Sequence, residues 1–216
     1  MRFMAACRDG TQASLGYAPA VRHSVDELIR GVPVAEPRNR YSTVSLILHW
    51  LIAALVLTQV LLITARESSH GPVARQLLDL HKSVGMGVLI LTVLRILWRM
   101  MNPAIPLPAA MPRWETLLAR TTQVLFYVAL LALPLTGWAA MSAMGRDISW
   151  FGLFNWPLLP VEGGRAVGRT LLDVHGWVVK GVYVLLALHV IGALKHQFID
   201  RDNVLHRMIP LIPRRP

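Results

Sequence analysis

Apolar residues do not alternate with polar ones in this chain; they gather in blocks. After residue 40 there are four apolar runs of about 20 residues each, the length that carries a helix across a bilayer core of about 30 Å. The runs predict spans at Thr43–Thr64, Leu80–Trp98, Leu117–Met141 and Leu171–His196. Between the first two, Ala65–Asp79 reads as a loop broken at Gly71-Pro72. Between the second and third, Arg99–Trp114 carries four prolines, each without an N–H and with φ fixed, so no helix continues through it. Pro134 and Gly137 predict a bend in span three. Ser142–Thr170 holds DISWFGLFNWPLLP, whose tryptophans and phenylalanines suit a segment lying in a membrane interface.

Composition agrees with the pattern. The chain has 216 residues, 54% hydrophobic and 16% charged, below the roughly one quarter charged of a soluble domain. The expected fold class is therefore an all-α membrane protein, a four-transmembrane-helix bundle. Residues 1–40 read as a polar, Arg-bearing tail without fixed order, 41–210 as the helical domain, and 197–216 as a short basic tail. The net charge of +10 does not indicate nucleic acid here, because basic residues flanking spans are the ordinary topology signal. They cluster before span one (Arg22, Arg30, Arg38, Arg40), around the second connection (Arg95, Arg99, Arg113, Arg120) and after span four (Lys195, Arg201, Arg207, Arg214, Arg215). The other two connections are nearly balanced. Both termini are accordingly expected in the cytoplasm. The single cysteine, Cys7, allows no disulfide, no CxxC zinc site and no CxxCH haem attachment within the chain.

The chemistry lies in histidines inside the spans. His175 and His189 are fourteen residues apart on span four, which puts them on nearly one helix face and roughly 21 Å apart along the axis. His49 enters span one to the same depth from the cytoplasmic side as His189, and His81 opens span two at the outer side, level with His175. Two level pairs result, His49/His189 and His81/His175. One intramembrane histidine is often only a hydrogen-bonding group between helices; four of them, matched by depth, point to ligation. Zinc wants about four converging ligands, commonly with thiolate or carboxylate. Two opposed imidazoles within a helical bundle suit an axially ligated porphyrin instead. Two haems, one above the other, are the expected cofactors, and with both axial positions filled their chemistry is electron transfer rather than oxygen binding.

Gly85, Gly87, Gly137, Gly176, Gly181 and Gly192 lie where a flat ring needs room, or where helices pack closely. Arg95 either snorkels to the interface or pairs with haem propionates. Lys82 and Lys180 lie near the outer pair and are candidates for attracting an anion, since an unpaired ammonium in a span is costly. Asp173 is placed to cap span four as an N-terminal acid. Trp50 and Trp177 each follow a candidate ligand or lie close to one. His23 and His206 fall in tails, His70 in a loop, and His196 reads as a solvated interfacial residue.

RYSTVSLILHW, LHKSVGMGVLILTVLRILWR, ALPLTGW, HGWVVKGVYVLLALHVIGALKHQF and RDNVLHRMIP together resemble the prokaryotic cytochrome b561 family, related to the cytochrome b subunits of nickel–iron hydrogenases and formate dehydrogenases. The resemblance covers about Arg40–Pro210, and the 40-residue tail departs from it, since span one starts almost at once in the family. It implies a di-haem b protein of the bacterial inner membrane that exchanges electrons with the quinone pool, with His49, His81, His175 and His189 as ligands. It also implies oxidation of periplasmic superoxide with ubiquinone as acceptor. The alternative is a membrane-anchor cytochrome b subunit serving a larger dehydrogenase or hydrogenase partner protein.

Overall fold

The computed structural model of the chain describes residues 41–103, 105, 107, 111–201 and 205–209. The sequence-predicted N-terminal tail and the last residues of the basic tail lie outside them. Four long helices carry the fold: α1 Thr43–Glu67, α2 Gly71–Met101, α3 Arg113–Ala143 and α4 Gly164–Lys195. A two-stranded hairpin, β1 Ile148–Trp150 and β2 Phe154–Trp156, joins α3 to α4. A π-helical turn, His196–Asp200, ends α4, and a 3-10 turn follows at Leu205–Arg207.

All four helices are long and apolar enough to cross a membrane. Their surfaces invert the soluble pattern. Ile47, Leu57, Leu61 and Leu117 are all more than half exposed, as side chains facing lipid must be. The buried positions are few and mostly small or polar: Ser83, Val84, Met86, Val88 and Thr92 on α2, and Ala129, Ala140, Ser142 and Ala143 on α3. Close approach between membrane helices comes from such residues, because lipid offers no hydrophobic drive to bring helices together. Gly168 on α4 is one: a Cβ there would lie 2.6 Å from the Met144 side chain and 3.1 Å from the Ala140 carbonyl.

α1 packs chiefly on α2 and α4 chiefly on α3, with α2 and α3 joining the two pairs more lightly. Ser42 caps α1, its Oγ accepting from the Ser45 N–H at 3.3 Å. The Trp98 indole donates to the Ser42 and Ser45 hydroxyls at 3.2 and 3.1 Å, tying the end of α2 to the start of α1.

Two boundaries differ from expectation. The loop expected over Ala65–Asp79 shrinks to Ser68–His70, and α2 begins at Gly71. Pro72 sits in its first turn, where a helix has no use for the missing N–H and gains from the preset φ. The residue that reads as a breaker is a starter. At the same end α4 begins at Gly164, seven residues ahead of Leu171. Asp173 is therefore inside the helix and does not cap it. Both helices run on for roughly 15 Å beyond His81 and His175 by the 1.5 Å rise, so these histidines lie inside the bundle rather than at its mouth.

The aromatic stretch after α3 is the hairpin. Its tip bonds the Leu153 N–H to the Trp150 carbonyl at 3.0 Å, with both central residues at positive φ, Phe151 at 52° and Gly152 at 76°. That is the turn geometry whose twist matches antiparallel strands, and a phenylalanine in it is strained. Ser83 on α2 holds it there: its Oγ accepts from the Phe151 N–H at 3.1 Å and lies 2.8 Å from the Ser149 carbonyl, within donating reach.

Candidate functional site

The four intramembrane histidines come together in two pairs. His49 on α1 faces His189 on α4 with ring centroids 6.2 Å apart, and His81 on α2 faces His175 on α4 at 6.4 Å. α4 supplies one ring to each pair, yet its close backbone approach is to α3, not to α1 or α2. The rings therefore reach toward each other across a gap between helices.

The separation has a chemical meaning. A metal–imidazole bond of about 2 Å on each side, plus about 1.1 Å from ring nitrogen to ring centre, puts two axial imidazoles about 6.2 Å apart, centre to centre. Both pairs meet that distance. A direct imidazole–imidazole hydrogen bond would draw the rings closer. A Cβ added at Gly87, Gly176 or Gly192, all half-buried, would meet nothing within 4 Å, whereas Gly181 is on an exposed face of α4. Gly85 is different, since a Cβ there would lie 2.9 Å from the Gln59 amide nitrogen, so it serves helix packing.

A family model described as prokaryotic cytochrome b561 matches residues 40–211. The chain belongs to this family. It is 34% identical over 174 residues to cytochrome b561 homolog 2 of Escherichia coli (strain K12), covering 79% of this chain and 92% of that protein. Cytochrome b561 homolog 1 of the same organism is 29% identical over 176 residues, 80% of this chain and 98% of that one. A Yersinia pestis protein named probable superoxide oxidase CybB is 27% identical over 174 residues, 80% of this chain and 97% of that one. As a cytochrome b561, the protein is a bacterial membrane protein of electron transfer, and the family implies haem b.

Each histidine pair of this cytochrome has distinct surroundings. At the His81/His175 level, the His175 Nδ1 lies 2.9 Å from the Leu133 carbonyl and 3.2 Å from Thr136 Oγ1, both on α3. A carbonyl only accepts, so Nδ1 carries the proton and Nε2 is left with its lone pair for a metal. The His81 backbone carbonyl accepts from the Gln59 amide at 3.0 Å, while His81 Nδ1 is buried without a partner among the described residues. At the His49/His189 level the neighbours are aromatic edges: Phe126 against His189 at 5.5 Å and Trp50 against His49 at 5.4 Å. Arg95 donates from Nη1 to the Ser45 carbonyl at 3.0 Å. Helical pairing makes that carbonyl the acceptor for the His49 N–H. Arg95 thus stands one turn from His49, at the same end of the bundle.

The lysines are engaged elsewhere. Lys82 pairs with Asp79 at 2.6 Å, and Lys180 lies over the exposed Trp177 ring at 4.0 Å. Two other histidines differ from the sequence reading. His196 is not a freely solvated residue; its Nδ1 is 3.1 Å from Asp200, whose carboxylate also holds Lys195 at 2.7 Å. Lys195 reaches Glu115 on α3 at 2.9 Å as well, so this cluster staples the end of α4 to the start of α3. His206, read as a tail residue, is buried at 5% exposure. Its segment folds back on the bundle, where the Trp50 indole donates to the Met208 carbonyl at 3.0 Å.

Sequence reading missed the part played by span three. It has no histidine and reads as a wall, yet Leu133, Thr136 and Phe126 set the surroundings of both α4 rings. The available signal was ALPLTGW, where the Thr136 hydroxyl lies two residues after the in-helix Pro134.

Proposed function

We propose that this cytochrome carries electrons across the bacterial inner membrane through two bis-histidine b-type haems, one held by His81 and His175, the other by His49 and His189. The observation that carries the proposal is one helix presenting two rings, each 6.2–6.4 Å from a partner on another helix. Each haem, held by its two imidazoles, would supply a one-electron redox couple. The domain that does this is 41–210, with both termini cytoplasmic and the hairpin end periplasmic, an orientation supported by the clustering of arginines at the opposite end.

The chain's own residues support the roles. His175 is presented by Leu133 and Thr136 with its Nε2 free to ligate. Trp50 and Phe126 set their ring edges against His49 and His189 at the cytoplasmic-side pair. Arg95 is placed to pair with a propionate at that level. Superoxide is the proposed outer donor and ubiquinone the acceptor, a reading favoured by the relative named a superoxide oxidase. The balance is simple: two superoxide ions give two oxygen molecules and two electrons, and one quinone takes both electrons with two protons to become quinol. Lys82 and Lys180 remain the residues proposed to draw the anion in, Lys82 at the cost of sharing its charge with Asp79.

Stopped-flow mixing of the purified protein with superoxide tests the proposal. Rapid appearance of reduced b-type bands, and their reoxidation only when ubiquinone is present, is the expected result. A reduced-minus-oxidised spectrum without b-type bands sinks the haem assignment. Bands that superoxide does not raise, in a protein that co-purifies with a large partner, would replace it with the anchor-subunit reading.

A further inference from the structure

The two histidine pairs match in separation and differ in what acts on their rings. We propose that this difference sets the His49/His189 level at a higher reduction potential than the His81/His175 level, so that electrons run inward. The inference rests on the two-haem reading above.

At the outer level, the His175 Nδ1–H has two acceptors, the Leu133 carbonyl at 2.9 Å and the Thr136 hydroxyl at 3.2 Å. The hydroxyl is free to accept because its own hydrogen is directed to the Ala132 carbonyl at 2.7 Å. Giving up hydrogen-bond density at Nδ1 makes the imidazole a stronger donor through Nε2. A stronger donor favours ferric over ferrous iron and lowers the potential. His81 adds nothing of this kind, since its Nδ1 has no partner among the described residues.

At the inner level neither ring has a hydrogen-bond acceptor among the described residues; both meet aromatic edges. Arg95 is the fixed charge there. Its guanidinium is held on the Ser45 carbonyl, one helical turn from His49. An arginine stays charged at any working pH, and against a propionate whose charge is the same in both redox states its positive charge still favours the state with one more electron. The potential rises. Cations at the outer level offer less. Lys82 shares its charge with Asp79, and Lys180 lies over the Trp177 ring. Arg66 is exposed in the last turn of α1, where water and salt screen it. The hydrogen bond and the arginine thus push the two levels apart in the same sense.

Redox titration of the full chain in detergent, followed by absorbance, tests this. Two components are expected, with the electron preferring the higher by at least tenfold, about 59 mV for a one-electron couple. Arg95→Gln should lower the higher component alone, and Arg95→Lys should restore most of it. Thr136→Val should raise the lower component alone, and Thr136→Ser should keep it in place. A structural role for either residue would change haem content without these opposed shifts. The component lost in His189→Ala must be the higher one; should that variant not fold, the opposed shifts of the Arg95 and Thr136 variants make the same assignment. Equal potentials, a reversed order, or an Arg95→Gln shift shared by both components overturns the inference while leaving two haems standing. A single b-type component overturns the two-haem reading instead.

Discussion

Pairing makes a demand that no single substitution can meet by accident. His49→Ala leaves His189 facing an empty position, and His189→Ala does the reverse. Either change should drop the haem content from two per chain to one. The two levels are fourteen residues apart on α4, roughly 21 Å by the helical rise. That exceeds the range of about 7–10 Å within which mutational effects couple. Effects should therefore add across levels and not within one. His49→Ala combined with His189→Ala should keep one haem, as each does alone. His49→Ala combined with His81→Ala should keep none. Pyridine haemochrome content divided by protein mass reads the stoichiometry, and a reduced-minus-oxidised spectrum shows which component survives. If His49→Ala with His189→Ala removes both haems, or His49→Ala with His81→Ala removes only one, the pairing is wrong.

Other expectations follow from single contacts. Ser83→Ala strands the Phe151 N–H and the Ser149 carbonyl. With about 0.5–1.5 kcal/mol net for a hydrogen bond lost at this part-buried position, the hairpin should loosen, seen as faster hydrogen exchange over 148–156. Gly168→Ala should lower the melting temperature, because its Cβ would press on Met144 and the Ala140 carbonyl, at about 1–3 kcal/mol for overpacking. Gly87→Ala, with nothing within 4 Å, should lack that steric cost and serves as the control. A reporter fused after Pro216 should be active only in the form that works in the cytoplasm; activity outside would reverse the orientation.

Span number and the four histidines were legible because both depend on period and length. Apolar runs of spanning length have few soluble explanations, and a fourteen-residue spacing fixes a common face whatever surrounds it. Helix ends were less legible. Gly71-Pro72 breaks a helix or begins one depending on which side packs, and the sequence does not show which side packs. The hairpin was hidden for a related reason: its strands are three residues each, and Phe151 occupies a left-handed turn position that composition argues against. The Ser83 hydroxyl, 68 residues away in the chain, helps to hold that turn. The acceptor for His175 is a backbone carbonyl, which every residue has, so no residue type could announce it.

The packing pattern gives the histidines a second consequence. α1 with α2, and α3 with α4, form two closely packed pairs, while α2 and α3 touch more lightly. Each histidine pair has one member in each half: His49 and His81 belong to the first, His189 and His175 to the second. A group ligated by either pair therefore cross-links the halves, as Ser83 and the hairpin do by hydrogen bonds. Ligation free energy should then appear at the seam between halves, not inside them, since binding to the assembled form alone stabilises it. Haem-depleted protein in nanodiscs should keep exchange protection along the α3–α4 contact at Ala140 and Gly168. It should lose protection at the buried α2 positions Val84, Met86 and Val88. Loss of the α3–α4 contact with the α2 positions still protected would show that the haems brace α4 within its own half, and the cross-link argument would fail.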